Sequence, residues 1–200
     1  MNQYLVFTGR PNAGKSSIIK EALGLKVPIG KRPGTTRRIS KYPLSRDLVL
    51  VDMPGFGRVL KASREEEERI KNRIIDFLES NASRIALSVH VLDISSFCEV
   101  TWRLEKKGIR SLDVEMIQFL ADTLSEFPLI VANKIDKAGN KLEDNLSELK
   151  HRIRASSSQN IEDHIFPVSA KTGEGLGALK SAIHNKLVNK GFNTPFRFLR

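Results

Sequence analysis

The sequence predicts a single α/β domain built on a mostly parallel six-stranded sheet with helices on both faces. Three observations carry this. A glycine-bounded, phosphate-binding type of loop at 9–16 lies between a short apolar run and a helical stretch. Short apolar runs then alternate with amphipathic segments along the rest of the chain, the pattern of parallel strands joined by right-handed helical crossovers. Three polar motifs, beginning at Asp52, Asn133 and Ser169, each follow an apolar run, and the carboxyl ends of strands are where ligands bind in such sheets. The chain has 200 residues and no break in composition, so one domain over 1–200 accounts for it.

Residues 4–7 form the first strand. The loop after it reads Gly9-Arg10-Pro11-Asn12-Ala13-Gly14-Lys15-Ser16, a full G-x-x-x-x-G-K-[ST] pattern, followed by Ser17. Such a loop turns its backbone N–H groups inward and leads into a helix N-terminus, which together hold more negative charge than a few side chains could. Lys15 is placed to reach the β- and γ-phosphates of a nucleotide, and the Ser16 hydroxyl to ligate Mg²⁺. A helix is expected over 15–23. A first responsive loop is expected over about 24–40; within it Arg32-Pro33-Gly34-Thr35-Thr36-Arg37 is polar, basic and poorly patterned. A Thr hydroxyl there can complete the metal shell when a γ-phosphate is present; Thr36 is the first choice and Thr35 the second.

A weak strand near 39–44 and a strong one at 48–51 lead to Asp52-Met53-Pro54-Gly55. Asp52 can hold Mg²⁺ through water, and the Gly55 amide can contact a γ-phosphate, making 53–64 the second responsive segment. Lys15, Thr36 and Gly55 are the expected catalytic contacts. A helix over 63–79 opens with Glu65 to Glu68, a solvated block matched to the helix dipole. The strand at 85–92 contains His90, expected as a satisfied core histidine. The stretch 99–110 is variable, and its Trp102 suits packing or RNA contact equally.

A helix over 111–124 and a strand over 129–132 precede Asn133-Lys134-Ile135-Asp136. The Asp136 carboxylate can accept two hydrogen bonds from guanine, whereas adenine would leave it unpaired. Asn133 is expected to brace the loop and Lys134 to pack along the base. After a helix over 142–152 and a strand over 165–168 comes Val168-Ser169-Ala170-Lys171, small residues that let a backbone N–H approach the guanine oxygen. The last helix, 176–190, carries Leu176, Leu179, Ile183 and Leu187 on one stripe.

Composition bounds the partners. The net charge is +10, and residues 25–46 carry Lys26, Lys31, Arg32, Arg37, Arg38, Lys41 and Arg46 without one acid. Such a stripe attracts phosphate backbones in a salt-dependent way, so an RNA-rich partner is expected and DNA is not. No apolar run approaches the roughly 20 residues that span a bilayer, Asn2 excludes myristoylation and the C-terminus has no Cys to prenylate. A membrane partner is therefore not expected. Cys98 is the one cysteine, which suits a reducing cytoplasm and a packing role. His151, His164 and His184 have no metal-ligand spacing.

The five elements Gly9 to Ser16, Gly34 to Thr36, Asp52 to Gly55, Asn133 to Asp136 and Ser169 to Lys171, in that order, resemble a translation-factor-class GTPase with a Ras-like G domain. The run Gly9-Arg10-Pro11-Asn12-Ala13-Gly14-Lys15-Ser16-Ser17, with Pro33-Gly34-Thr35-Thr36 and Val51-Asp52-Met53-Pro54-Gly55-Phe56-Gly57, is similar to the EngB/YihA family. Residues 91–97, Asp113-Val114-Glu115-Met116 and Asn133 resemble its archaeal branch. The resemblance implies a monomeric single-domain protein that binds GTP and GDP with Mg²⁺ on Ser16 and Thr36 and guanine on Asn133, Lys134 and Asp136. It further implies a role in large ribosomal subunit assembly, with ribosomal RNA or a large-subunit precursor as partner, and a need in cell division and septation. Ras-like enzymes carry after D-x-x-G a Gln that orients the attacking water; Phe56 stands here instead. Slow intrinsic hydrolysis is expected, completed by a partner or by a K⁺ ion beside Asn12.

Overall fold

The structure is a computed structural model and describes residues 2–26, 38–57, 63–124, 126–155 and 160–198. Six strands form one sheet: β1 (Gln3–Gly9), β2 (Ser40–Pro43), β3 (Leu48–Asp52), β4 (Ile85–Asp93), β5 (Leu129–Asn133) and β6 (Ile165–Val168). Their order is β2-β3-β1-β4-β5-β6. Only β2 runs antiparallel, at the edge. It is the weakest strand in the sequence because it is half-buried with alternating exposure, while β3 and β5 are buried throughout and so read as unbroken apolar runs.

The helices are α1 (Lys15–Leu23), α2 (Arg64–Ser80), α3 (Phe97–Glu105), α4 (Leu112–Thr123), a single turn α5 (Ile135–Ala138), α6 (Leu142–Arg154) and α7 (Leu176–Asn189). On one face, Ile18 and Ile19 of α1 and Leu179, Ile183 and Leu187 of α7 pack on Leu5, Phe7, Val89 and Val131. On the other, Ile70, Ile74 and Leu78 of α2 and Met116 and Leu120 of α4 pack on Tyr4, Val6, Val49 and Val51. Leu146, Leu149 and Ile153 of α6 join Ile117 and Phe127 over Leu92, Ile130 and Ala132. Each such fully buried aliphatic is worth about 1.5–3 kcal/mol. α2 is capped by Ser63, whose Oγ accepts from the Glu66 amide at 3.2 Å, and Glu65, Glu66 and Glu67 occupy its first turn, as the sequence led one to expect.

The stretch 99–110, where no helix is expected from the sequence, contains most of α3. Phe97, Val100, Thr101 and Leu104 stand at helical spacing, but the stripe is short and only Phe97 and Thr101 of it are buried. Among the described residues, no helix is long and apolar enough to cross a membrane. Gly34, Thr35 and Thr36 lie outside the described residues, as do 58–62 of the second responsive segment.

Parallel register brings the strand ends together. Phe7 pairs with Asp52 across β1 and β3, Gly9 with Val91 across β1 and β4, Asp93 with Asn133 across β4 and β5, and Asn133 with Val168 across β5 and β6. The phosphate loop and the motifs beginning at Asp52, Asn133 and Ser169 therefore open at one edge of the sheet.

Candidate nucleotide site at the carboxyl edge of the sheet

The phosphate loop leaves β1 and enters α1 through Gly14, which has φ 94°. No side chain caps α1 and its first turn holds no acid, so the positive end of the helix is available to an anion. Asn12 also has a positive φ, 64°, a conformation Asn tolerates better than most residues, and its side chain is exposed. Gly14 has a steric duty as well as a conformational one. A Cβ there would run into the Asn133 amide nitrogen, which donates to the Ala13 carbonyl oxygen at 2.8 Å.

Asn133 Oδ1 in turn accepts from the Ala170 amide at 3.1 Å. One buried side chain thus ties the phosphate loop, the loop after β5 and the loop after β6. Lys134, at φ 71°, immediately precedes α5 and its ammonium reaches Asp93 Oδ2 at 2.5 Å. Asp136 is exposed on the first turn of α5 and accepts from the Ser169 hydroxyl at 2.7 Å. Ser169 is fully buried and its Oγ also accepts from the Thr172 amide at 3.1 Å. Asp136 is thereby held in place yet open to solvent, with lone pairs left for a ligand.

Lys15 and Asp52 form a buried ion pair, with relative exposures of 6% and 2%. Burial pulls the Lys15 pKa below its ordinary value, and the neighbouring carboxylate works against that. Ser16 lies half-buried at the start of α1. The loop after β3 returns to the phosphate loop: the Phe56 amide donates to the Gly9 carbonyl at 3.4 Å. At Gly55 an added Cβ would sit 2.8 Å from the Pro11 nitrogen, so only Gly allows the two loops to lie this close. Phe56 itself is buried and its ring stands 5.8 Å from the His90 ring.

His90 is the satisfied core histidine that its apolar surroundings imply. Its Nδ1 lies 3.0 Å from Thr8 Oγ1 and its Nε2 3.2 Å from Asp113 Oδ1. Asp113 Oδ2 is 3.6 Å from the Arg10 guanidinium. Arg10 therefore turns away from the phosphate side of its loop towards α4. Neither Asp113 nor Asp93 belongs to a nucleotide-site motif; the signal in the sequence is that both lie in the stretches, 91–97 and 113–116, that resemble the archaeal branch. A cavity of about 140 Å³ beside the phosphate loop is lined by Arg10, Asn12, Ala13, Asp93, Thr101 and Asp113, among others.

Comparison with known proteins gives the family in which this arrangement occurs. A family model for 50S ribosome-binding GTPases matches residues 4–134. A probable GTP-binding protein EngB of Methanopyrus kandleri is 36% identical, covering 98% of both chains. Its counterpart in Pyrococcus horikoshii is 39% identical over 90% of this chain and 81% of its own. A crystal structure of a probable GTP-binding protein engB superposes with a TM-score of 0.82 at 35% identity, covering 93% of this chain and 99% of that one. Aquifex aeolicus Era shares the fold at a TM-score of 0.63, with 23% identity over 93% of this chain and 57% of its own. With near full-length likeness to relatives that carry the same name, the chain belongs to the EngB family of GTP-binding proteins, in the wider class of P-loop GTPases.

Proposed function

We propose that this protein is a slow GTPase switch acting in the cytoplasm in assembly of the large ribosomal subunit, and that normal cell division and septation depend on it. The observation that carries the nucleotide half is the Asn133 bridge. It sets a carboxylate able to read guanine, Asp136, at a fixed place relative to a loop able to hold phosphates. In this reading Gly9 to Ser17 cradle the phosphates, while Asn133 to Asp136 and Val168 to Lys171 enclose the base. Lys15 leaves Asp52 for the β- and γ-phosphates. The oxygens of Ser16 and Asp52 suit a hard cation such as Mg²⁺, with Ser16 ligating it directly and Asp52 through water; Thr36 supplies a further ligand. Bound Mg²⁺ would neutralise charge on the β- and γ-phosphates.

The burial of Phe56 supports low intrinsic turnover. An apolar ring packed on His90 offers no hydrogen bond to an attacking water. Charge on the transferring phosphoryl group must then be met by a partner, or by K⁺ at the exposed Asn12. Turnover measured in KCl and NaCl at equal ionic strength tests the second route: a higher rate in KCl supports it, and equal rates remove it.

The family's description as 50S ribosome-binding and the net charge of +10 support docking on ribosomal RNA or a large-subunit precursor, and in this reading the protein docks as a monomer. Differential affinity of the GTP and GDP forms for that partner is what a switch requires. Co-sedimentation with large subunits in a non-hydrolysable GTP analogue, and loss of it in GDP, is the expected outcome. Equal sedimentation in both would contradict the switch. A GTP-dependent scaffold of cell division acting without the ribosome is the alternative, and absence of co-sedimentation in either state would favour it.

A further inference from the structure

Nine residues at the end of α3 hold chemistry that the nucleotide site does not use. The segment 102–110 reads Trp102-Arg103-Leu104-Glu105-Lys106-Lys107-Gly108-Ile109-Arg110. Trp102 is 56% exposed and Ile109 46% exposed, two of the three large hydrophobic residues that stand in solvent among the described residues. Arg103, Lys106, Lys107 and Arg110 are all exposed, and none has an ion pair among the described residues. The one acid in the segment, Glu105, is taken by both terminal nitrogens of Arg152 on α6, one of them at 2.9 Å.

The local backbone presents these groups as a knob. Lys106 donates its amide to the Trp102 carbonyl at 3.0 Å, so the two side chains lie one helical turn apart on one side. Gly108, at φ 70°, ends the helix: its amide reaches the Glu105 carbonyl at 2.8 Å and that of Ile109 the Leu104 carbonyl at 3.0 Å. The chain then turns with Lys106, Lys107, Ile109 and Arg110 around the tip. A helix C-terminus favours a cation or two for electrostatic reasons alone. That does not account for four, nor for a tryptophan left in water beside them when Phe97 and Thr101 on the same helix are buried.

We propose that 102–110 is an RNA-docking surface, on which Trp102 stacks an unpaired base while Arg103, Lys106, Lys107 and Arg110 hold the flanking phosphates. An indole face accepts any base, and clustered cations follow the backbone between stacked bases. Charge complementarity commits the surface to a polyanion. Arg110 also stands at the mouth of a groove of about 780 Å³ between α4 and α6, where Glu115 and Asp122, further along the lining, repel phosphate and bound the surface on that side. The identification of ribosomal RNA as the source rests on the function proposed above; the stacking chemistry does not.

Trp102 is the chain's one tryptophan, so its emission reports on this surface directly. The full chain with Mg²⁺ and a non-hydrolysable GTP analogue is titrated with a fluorescein-labelled single-stranded adenosine 12-mer and with a large-subunit rRNA transcript. Tryptophan emission and RNA anisotropy are both followed. Saturable quenching is expected. Trp102→Ala weakens binding about five- to a hundredfold, the range for loss of one base–aromatic stack, and Trp102→Phe restores most of it. Lys106→Ala with Lys107→Ala lowers the salt slope by about 1.4, with guanine-nucleotide affinity unchanged as a check on folding. RNA binding that leaves tryptophan emission and all variants unaffected would place the RNA elsewhere and overturn this inference alone. An emission shift on phosphatidylglycerol vesicles without any response to RNA would also overturn it. Absence of RNA binding by the unaltered chain, together with absence of its co-sedimentation with large subunits, would sink the ribosomal reading as well.

Discussion

The Asn133 side chain donates to the Ala13 carbonyl oxygen at 2.8 Å although 120 residues separate them in sequence. It also accepts from the Ala170 amide, so removing it unties three loops at once. Asn133→Ala leaves a buried carbonyl without a donor and is expected to cost about 1–3 kcal/mol of stability, with at least tenfold weaker GTP binding. Gly14→Ala drives a Cβ into the same amide and breaks the same bond. The two substitutions should therefore cost less together than the sum of their separate effects. Thermal unfolding of the double-mutant cycle checks this, and strict additivity would mean that the bond is not shared.

Asp136→Asn should move base preference from guanine towards xanthine, because an amide can donate to the second carbonyl of that base. Two charged hydrogen bonds are at stake, so GTP affinity should fall on the order of a hundredfold. Competition between GTP and XTP checks it; retained guanine selectivity would remove Asp136 from its role.

Lys15→Ala should weaken nucleotide binding and suppress hydrolysis. On sequence grounds alone the substitution looks structurally neutral. The buried Lys15–Asp52 pair alters that expectation, since it leaves Asp52 buried and unpaired at a cost of about 3–5 kcal/mol. Replacing both, Lys15→Met with Asp52→Asn, should recover much of the melting temperature and none of the hydrolysis.

Phe56→Gln should not raise the rate of hydrolysis. The side chain at this position points into the core against His90 rather than towards the phosphate loop. Exchanging a buried ring for an amide should cost about 3–5 kcal/mol, comparable to truncating a core Phe. Single-turnover hydrolysis gives the test: acceleration would show that Phe56 displaces a catalytic Gln.

How much of this was legible beforehand depends on how each element earns its stability. β1, β3, β4 and β5 are buried on both faces and announce themselves as apolar runs, and α7 shows its stripe. α3 carries a shorter one at Phe97, Val100, Thr101 and Leu104, easily passed over because only Phe97 and Thr101 are buried. In the site, glycines and the Gly-Lys-Ser ending of the phosphate loop sit next to one another in sequence, so the motif is visible. The contacts that position it are not local. Asp113 reaches His90 from 23 residues away and Asp93 reaches Lys134 from 41; the packing of α4 on the sheet brings the first pair together and the β4–β5 register the second. Phe56 illustrates the limit: its identity removes a hydrogen bond from the chemistry, but its burial against His90 depends on the packing of three elements.

The most direct test of the account is calorimetry of the purified chain with Mg²⁺ and GTP, GDP or ATP. The account predicts that GTP and GDP bind and that ATP binds at least a hundredfold more weakly, because adenine leaves the Asp136 carboxylate unpaired. Equal affinity for guanosine and adenosine nucleotides would contradict it.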